Sequence, residues 1–217
     1  MQRREIKTRD RKWAQNLAKW LSNLNITPDT ISVMSVVFAL LSGIVYAFIG
    51  KFPEKFYYLA PVLAILFMQL RLLCNLLDGM VAVECKKHST YGDIFNEFPD
   101  RLSDSFIFIG VGIGGQSELS IILGLTLALL AMFTAYTRVL GGAIGVKQPF
   151  IGPMAKQHRM AFLTFTTLFC LISPAIHVKL FPIVLSIMIF GCIITVFRRV
   201  LAIAHDLKEK EKLSESN

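Results

Sequence analysis

Six long apolar runs, separated by short polar segments, dominate the chain. They lie near residues 31–50, 57–82, 93–114, 119–140, 159–175 and 179–202. A helix needs roughly 20 mostly apolar residues to cross a bilayer, and these runs approach or reach that length. Only helices and closed barrels satisfy the backbone within lipid, and the runs are too long and continuous for barrel strands. The pattern therefore predicts an all-α integral membrane protein with six transmembrane helices.

A different pattern precedes the first run. Between residues 9 and 25, large apolar side chains recur at helical spacing: Trp13, Leu17, Trp20, Leu21 and Leu24. Basic and amide side chains occupy the other faces, which is typical of an amphipathic helix lying in the membrane interface. A soluble helix docked on the end of the bundle would share this pattern. We expect an N-terminal interfacial amphipathic helix before the six spans.

The composition agrees with a membrane protein. The chain is 54% hydrophobic and 18% charged, which disfavours an ordinary soluble enzyme and excludes disordered, fibrous and disulfide-scaffold classes. The four cysteines show no pair spacing and are expected to be buried thiols. We expect a single membrane domain over residues 1–217: a cytoplasmic and interfacial helix in 1–30, the six-helix bundle in 31–204 and a cytoplasmic tail in 205–217.

The distribution of basic residues predicts the orientation. If both termini lie inside, the inner segments carry 18 lysines and arginines and the outer loops carry three. This bias predicts a multi-pass protein of the inner (cytoplasmic) membrane with both termini in the cytoplasm. The net charge of +8 could also indicate nucleic-acid binding, but in an apolar chain such residues more often lie beside anionic lipid. We expect membrane lipids as partners, no nucleic acid and no cleavable signal peptide.

Acidic side chains are concentrated between the second and third predicted spans. Six of the fifteen acidic residues fall between residues 78 and 104. At helical spacing, one face of the third span carries Asp93, Asn96, Glu97, Asp100 and Asp104. The second span likewise carries Arg71, Asn75, Asp78 and Ala82 on one face. Oxygen ligands that converge from two neighbouring helices suit a hard divalent cation. A structural ion pair through Arg71 or Arg101, or an ion pathway, would also explain charges within spans.

The same stretch resembles the signature of the CDP-alcohol phosphotransferase (CDP-alcohol phosphatidyltransferase) family. That signature reads D-x-x-D-G-x-x-A-R-x8-G-x3-D-x3-D, and five positions match in type and spacing: Asp78, Gly79, Ala82, Gly92 and Asp100. The resemblance implies transfer of a substituted phosphate from a CDP-linked donor, CDP-diacylglycerol above all, to an alcohol acceptor with release of CMP. It also implies a requirement for Mg²⁺ or Mn²⁺, and it is compatible with a homodimer.

The resemblance also implies roles for individual residues. The metal ligands would be the four motif positions Asn75, Asp78, Asn96 and Asp100, and Asp100 would also be the general base that deprotonates the acceptor. The nucleotide would lie against Gly79, Ala82, Gly92 and Asp78, since small residues allow close approach to the backbone. Basic residues at the cytoplasmic helix ends would hold lipid or acceptor phosphate: Arg138, Lys156 and Arg159.

Three motif positions depart from the signature. Asparagine replaces the first and third aspartates at Asn75 and Asn96, and Val83 replaces the motif arginine. Amide oxygens can ligate hard cations but bring no charge, so a two-metal site would be underneutralised. Two explanations stay open: either the site holds one metal, with Arg71 as a surrogate charge, or nearby carboxylates contribute, namely Asp93, Glu97 or Asp104. Lys86 or Lys87 would have to replace the missing arginine.

Three functions compete on this sequence. We predict a membrane phosphotransferase with altered metal ligands, because the implied base and two motif glycines are kept. The alternative is a non-catalytic relative that binds a cytidine nucleotide or a lipid headgroup, which the two asparagines favour. A small ion or solute carrier is the third, and the motif disfavours it.

Overall fold

The computed structural model describes residues 11–84 and 91–215, which form helices joined by short connections. The α-helices in these residues are α1 Lys12–Asn23, α2 Pro28–Ala47, α3 Leu59–Glu84, α4 Gly92–Gly114, α5 Glu118–Ala143, α6 Lys156–Phe169 and α7 His177–Glu215. Single 3₁₀ turns at Ile49–Lys51, Glu54–Phe56 and Pro174–Ile176 lie in the connections. The described part of the chain contains no strand, so the all-α prediction is confirmed.

Local sequence explains where two of these helices begin. Thr27 caps α2, because its hydroxyl accepts a hydrogen bond from the Thr30 N–H at 3.2 Å, and Pro28 follows at the first helical position. Ser117 caps α5 in the same way, accepting from the Ser120 N–H at 3.1 Å. Side-chain oxygens thus satisfy backbone donors that a helix start leaves without an intrahelical partner.

Glycines allow α2, α4 and α5 to pack closely. A Cβ atom at Gly110 of α4 would lie 2.1 Å from the carbonyl oxygen of Gly43 on α2. On the other side of α4, a Cβ atom at Gly124 of α5 would lie 2.6 Å from the carbonyl oxygen of Phe108. Such close approach of backbones through small residues is typical of membrane helices. α4 is therefore held between α2 and α5.

Within residues 11–84 and 91–215, four helices are long and apolar enough to cross a membrane: Pro28–Ala47, Leu59–Val83, Glu118–Ala143 and His177–Leu213. Their outer faces expose large apolar side chains such as Ile122, Leu129, Phe190 and Phe197. These features confirm an all-α membrane protein. The third and fifth predicted spans are also helical, but α4 carries the acidic cluster and α6 has only 14 residues. The last helix extends to Glu215, well beyond the predicted end near residue 202.

α1 packs against the bundle through small residues. Ala14 and Ala18 are buried in a cluster with Ile31 and Leu77, whereas Trp13 and Trp20 are 51% and 57% exposed. The predicted apolar stripe is therefore divided: its edge beside the two alanines contacts the bundle, and its tryptophans face outward.

Candidate metal and phosphate site at the junction of α3, α4 and α6

Asp78 lies on α3 close to the start of α2. Its side chain is buried, and its Oδ2 accepts a hydrogen bond from the Ser32 hydroxyl of α2 at 2.7 Å. Its Oδ1 accepts from the backbone N–H of Gly79 at 2.5 Å. The Asp100 carboxylate and the Lys156 ammonium both interact electrostatically with Asp78. The motif aspartates that the chain keeps are thus parts of one site.

Asp100 lies at the centre of a polar cluster that three helices build. Its Oδ1 accepts from the Asn75 Nδ2 of α3 at 2.8 Å and from the Lys156 Nζ of α6 at 2.5 Å. The same ammonium donates to the Asn75 Oδ1, also at 2.5 Å. One lysine therefore bridges two of the motif side chains. Asp100 and Lys156 keep 13% and 21% of their side chains exposed, so the cluster is accessible from outside the bundle.

Asp104, one turn further along α4, is part of a buried ion triad. Arg71 donates to its Oδ1 at 2.7 Å and Arg159 to its Oδ2 at 2.6 Å. Arg159 also donates to the Met154 carbonyl at 3.0 Å and to the Thr134 hydroxyl at 3.2 Å. The triad joins α3, α4, α5 and α6, and each Asp104 oxygen already has an arginine partner. Asp104 is thus committed to structure rather than to a metal.

Glu97 lies on the same face of α4 but pairs with arginines of α4 and α5. Arg101 donates to one of its oxygens and Arg138 of α5 to the other, and the Arg138 guanidinium also lies over the Phe150 ring at 5.2 Å. Arg199 of α7 lies near these arginines and donates to the carbonyls of Ile151 and Thr134. The predicted single polar face of the third span is therefore divided: Glu97 points towards α5, whereas Asp100 and Asp104 point towards α3 and α6.

The sequence-predicted residues have different surroundings. Gly79 and Ala82 lie on α3 beside Asp78, and a Cβ atom at Gly92 would meet none of the described residues within 4 Å. Several predicted side chains lie outside the described part of the structure: those of Asn96, Asp93, Lys86 and Lys87.

Two features were missed by the sequence reasoning. The Ser32 contact to Asp78 has no local signal, since the residues are 46 positions apart. Arg199 does have a local signal, because it is a charged residue within the apolar run 179–202.

The residues present fit one hard divalent cation better than two. Carboxylate oxygens of Asp78 and Asp100 are the ligands such a cation prefers. The Lys156 ammonium already occupies the position between Asn75 and Asp100, where it makes the oxygen contacts that a cation would make. Glu97 and Asp104 are each engaged by two arginines. This geometry gives no support to the prediction that either carboxylate completes a two-metal site. Arg71 also lies 3.5 Å from the Asp100 Oδ1, and its part as a surrogate charge stays a prediction.

Comparisons with known proteins agree with the fold. No protein-family model matches the chain. The inner membrane protein YnbA of Escherichia coli is 27% identical over 140 residues, which cover 64% of this chain and 66% of YnbA, just under two thirds of it. A phosphatidylinositol phosphate synthase of Streptomyces avermitilis is 22% identical over 202 residues, covering 89% of this chain and 79% of that enzyme.

Solved structures of Mycobacterium tuberculosis phosphatidylinositol phosphate synthase, PgsA1, share the architecture. The structure in complex with manganese and citrate superposes with a TM-score of 0.68 at 16% identity, covering 88% of each chain. The structure with CDP-DAG bound has the same TM-score at 15% identity and covers 88% of this chain and 92% of PgsA1. This common fold and the relatives named phosphatidylinositol phosphate synthase agree with the resemblance of the signature residues to the CDP-alcohol phosphatidyltransferase family.

Proposed function

We propose that this protein transfers a substituted phosphate from a CDP-linked lipid, CDP-diacylglycerol, to an alcohol acceptor in phospholipid synthesis and releases CMP. The observation that carries this proposal is the hydrogen bond from Asn75 of α3 to Asp100 of α4, with Asp78 one helical turn beyond Asn75, at the spacing of the family signature. The names of the relatives support the donor class and make a phosphorylated inositol the first acceptor to test.

Each retained motif residue has a part in this reaction. Asp78 and Asp100 would hold Mg²⁺ or Mn²⁺, with the amides of Asn75 and Asn96 as further ligands. When bound, the cation supplies positive charge that stabilises the charge developing on the phosphates. Asp100 accepts the proton of the acceptor hydroxyl, the acceptor oxygen bonds to the phosphorus that carries the lipid, and the bond from that phosphorus to CMP breaks. The proton remains on Asp100 until it passes to solvent.

The substrates would lie on the accessible side of this cluster. Gly79, Ala82 and Gly92 would face the cytidine nucleotide, and no described residue lies within 4 Å of a Cβ atom at Gly92. Among the basic residues, Arg138 and Lys156 keep exposed surface; Arg138 would bind a phosphate, whereas the Lys156 ammonium is held by Asp100 and would act on a phosphate from that position. Arg159 is only 2% exposed, so it would act by positioning Asp104 and the start of α6.

The site would be in the cytoplasm. All six helices α2 to α7 would cross the membrane, including α4 and α6, whose polar residues face the bundle. The bias of basic residues supports cytoplasmic termini, and the exposed tryptophans of α1 support its position in the membrane interface.

Release of CMP tests the function directly. Purified protein in detergent micelles would receive CDP-diacylglycerol, Mn²⁺ and one alcohol from a panel of inositol, inositol phosphate, glycerol phosphate and serine. We expect CMP with at least one acceptor, its loss on addition of EDTA and its loss in Asp100→Asn. Asp206→Asn is the matched control, because it removes a carboxylate from the distant end of α7.

A non-catalytic relative is the second candidate, and a specific contact favours it. The Lys156 ammonium is already paired with the carboxylate that would act as base. If no acceptor yields CMP while the protein still binds a cytidine nucleotide, the protein is a binder and the catalytic proposal is wrong.

A further inference from the structure

The Lys156 ammonium occupies a position within the signature itself. It lies 2.5 Å from the Asn75 Oδ1 and 2.5 Å from the Asp100 Oδ1, and Asn75 donates to the same Asp100 oxygen at 2.8 Å. Both partners stand where the signature has aspartates. A positive group thus already contacts two of the positions at which the signature would provide metal ligands.

The location of Lys156 is fixed by the structure around it. The preceding loop is anchored because the Met154 N–H donates to the Thr195 hydroxyl of α7 at 3.0 Å, while the Met154 carbonyl accepts from Arg159. Gly152 has a φ of +119°, and a Cβ atom there would lie 2.5 Å from the Thr195 side chain. These constraints begin α6 at Lys156, with its side chain directed to Asp100.

The first residue of a helix is an unfavourable place for a lysine. The helix dipole is positive at this end, so an ammonium there is destabilised unless an anion compensates. Asp100 provides that anion. The Lys156 ammonium is therefore stabilised at the start of α6 by the Asp100 carboxylate beside it.

The charge balance at the four signature positions indicates how many divalent cations can bind beside this lysine. Four signature aspartates would balance two divalent cations, whereas the corresponding positions in this chain, with Asn75 and Asn96, hold two negative charges. One divalent cation together with Lys156 leaves a single excess positive charge, which an anionic diphosphate would neutralise. Two divalent cations together with Lys156 would leave three. Arg71 lies 2.7 Å from Asp104 and also 3.5 Å from the Asp100 Oδ1, so its positive charge adds to that of Lys156 and disfavours a second divalent cation further.

We infer that the Lys156 ammonium takes the place of one of two divalent cations, so that the protein binds a single divalent cation, held by Asp78 and Asp100. The inference rests on the proposed function because both place a cation at Asp78, but its test requires no turnover. A single-metal site with a tethered ammonium explains the asparagine at position 75, because an aspartate there would add a negative charge beside a cation, the Lys156 ammonium, that is only monovalent.

Manganese stoichiometry in the purified full-length protein tests the inference. By equilibrium dialysis and elemental analysis we expect one Mn²⁺ per wild-type chain. Asn75→Asp/Asn96→Asp should still bind one, because Lys156 keeps its position. Adding Lys156→Gln to that pair should raise the number to two. Two Mn²⁺ in the wild type, two in the pair that keeps Lys156, or one in the triple variant would each overturn the inference.

A single substitution provides a second readout if the triple variant does not fold. Lys156→Gln should bind its one Mn²⁺ about tenfold more tightly, because a like charge within a few ångströms has been removed. Lys156→Arg should bind as the wild type does, and so should Lys147→Gln, which removes an exposed lysine from the loop before α6. Unchanged or weaker affinity in Lys156→Gln overturns the inference. One bound Mn²⁺ without CMP release on any acceptor would instead overturn the proposed function alone.

Discussion

Asp100 and Asp104 lie one helical turn apart on α4 and have opposite surroundings. Asp104 is buried, and two arginines engage its two oxygens. Asp100 is partly exposed and contacts an amide, an ammonium and, at the longer distance of 3.5 Å, the Arg71 guanidinium. A carboxylate whose two oxygens are both engaged by arginines suits a structural role, whereas a carboxylate with exposed surface can still exchange partners. Position on the helix alone would not separate these two residues; their partners on α3 and α6 do.

Removal of the buried carboxylate should destabilise the protein. Asp104→Asn would leave Arg71 and Arg159 buried without their anion, and breaking a buried ion pair in this way costs about 3–5 kcal/mol. We expect a clear fall in the melting temperature of the detergent-solubilised protein. Glu97→Gln is the matched control, because its ion pairs are partly exposed and should contribute less. Equal melting temperatures for Asp104→Asn and the wild type would contradict the structural assignment.

Removal of the Asp78 carboxylate, a signature position, should weaken metal binding. Asp78→Asn takes away one of the two carboxylates that would hold the cation, and we expect Mn²⁺ affinity to fall by more than tenfold. Calorimetric titration of the full chain gives the affinity directly, with Glu118→Gln as the control, because it removes an exposed carboxylate at the start of α5. Unchanged affinity in Asp78→Asn would show that the metal lies elsewhere.

At the scale of elements, the apolar runs predict most of the fold. Six runs correspond to six helices, because length and hydropathy are local properties that the sequence carries directly. The extension of α7 to Glu215 has no apolar signal, because its last turns are charged. The hydropathy pattern therefore predicts an end of the span near residue 202 and does not predict the helical turns beyond it. The bridge from Lys156 to Asn75 joins residues 81 positions apart, so it depends on how α6 packs rather than on any spacing.

The glycine contacts that hold α4 between its neighbours can be tested by a single methyl group. Gly110→Ala would place a Cβ atom 2.1 Å from the Gly43 carbonyl oxygen, so α2 and α4 must separate. Overpacking of this kind costs about 1–3 kcal/mol, and the melting temperature should fall accordingly. Gly92→Ala is the matched control for stability, since a Cβ atom there meets none of the described residues within 4 Å. A fall in Gly92→Ala as large as that in Gly110→Ala would refute the packing argument.

At the scale of the whole molecule, the prediction concerns orientation. In a variant without native cysteines, single cysteines at Lys51 or Lys55 should react with a membrane-impermeant maleimide in intact cells. Cysteines at Lys147 or Lys212 should react only after the cells are lysed. Labelling of position 147 or 212 in intact cells would reverse the predicted topology and place the metal site outside.

The ion triad of Arg71, Asp104 and Arg159 also bears on the order in which the protein matures. During synthesis α3 and α4 precede α6, so Arg71 and Asp104 can pair before the rest of the triad exists. Arg159 and Lys156 arrive together on α6, and Asp100 acquires its ammonium only then. The nascent chain therefore carries an incomplete centre until α6 is inserted, and this one helix both completes the ion triad and gives the centre its final charge.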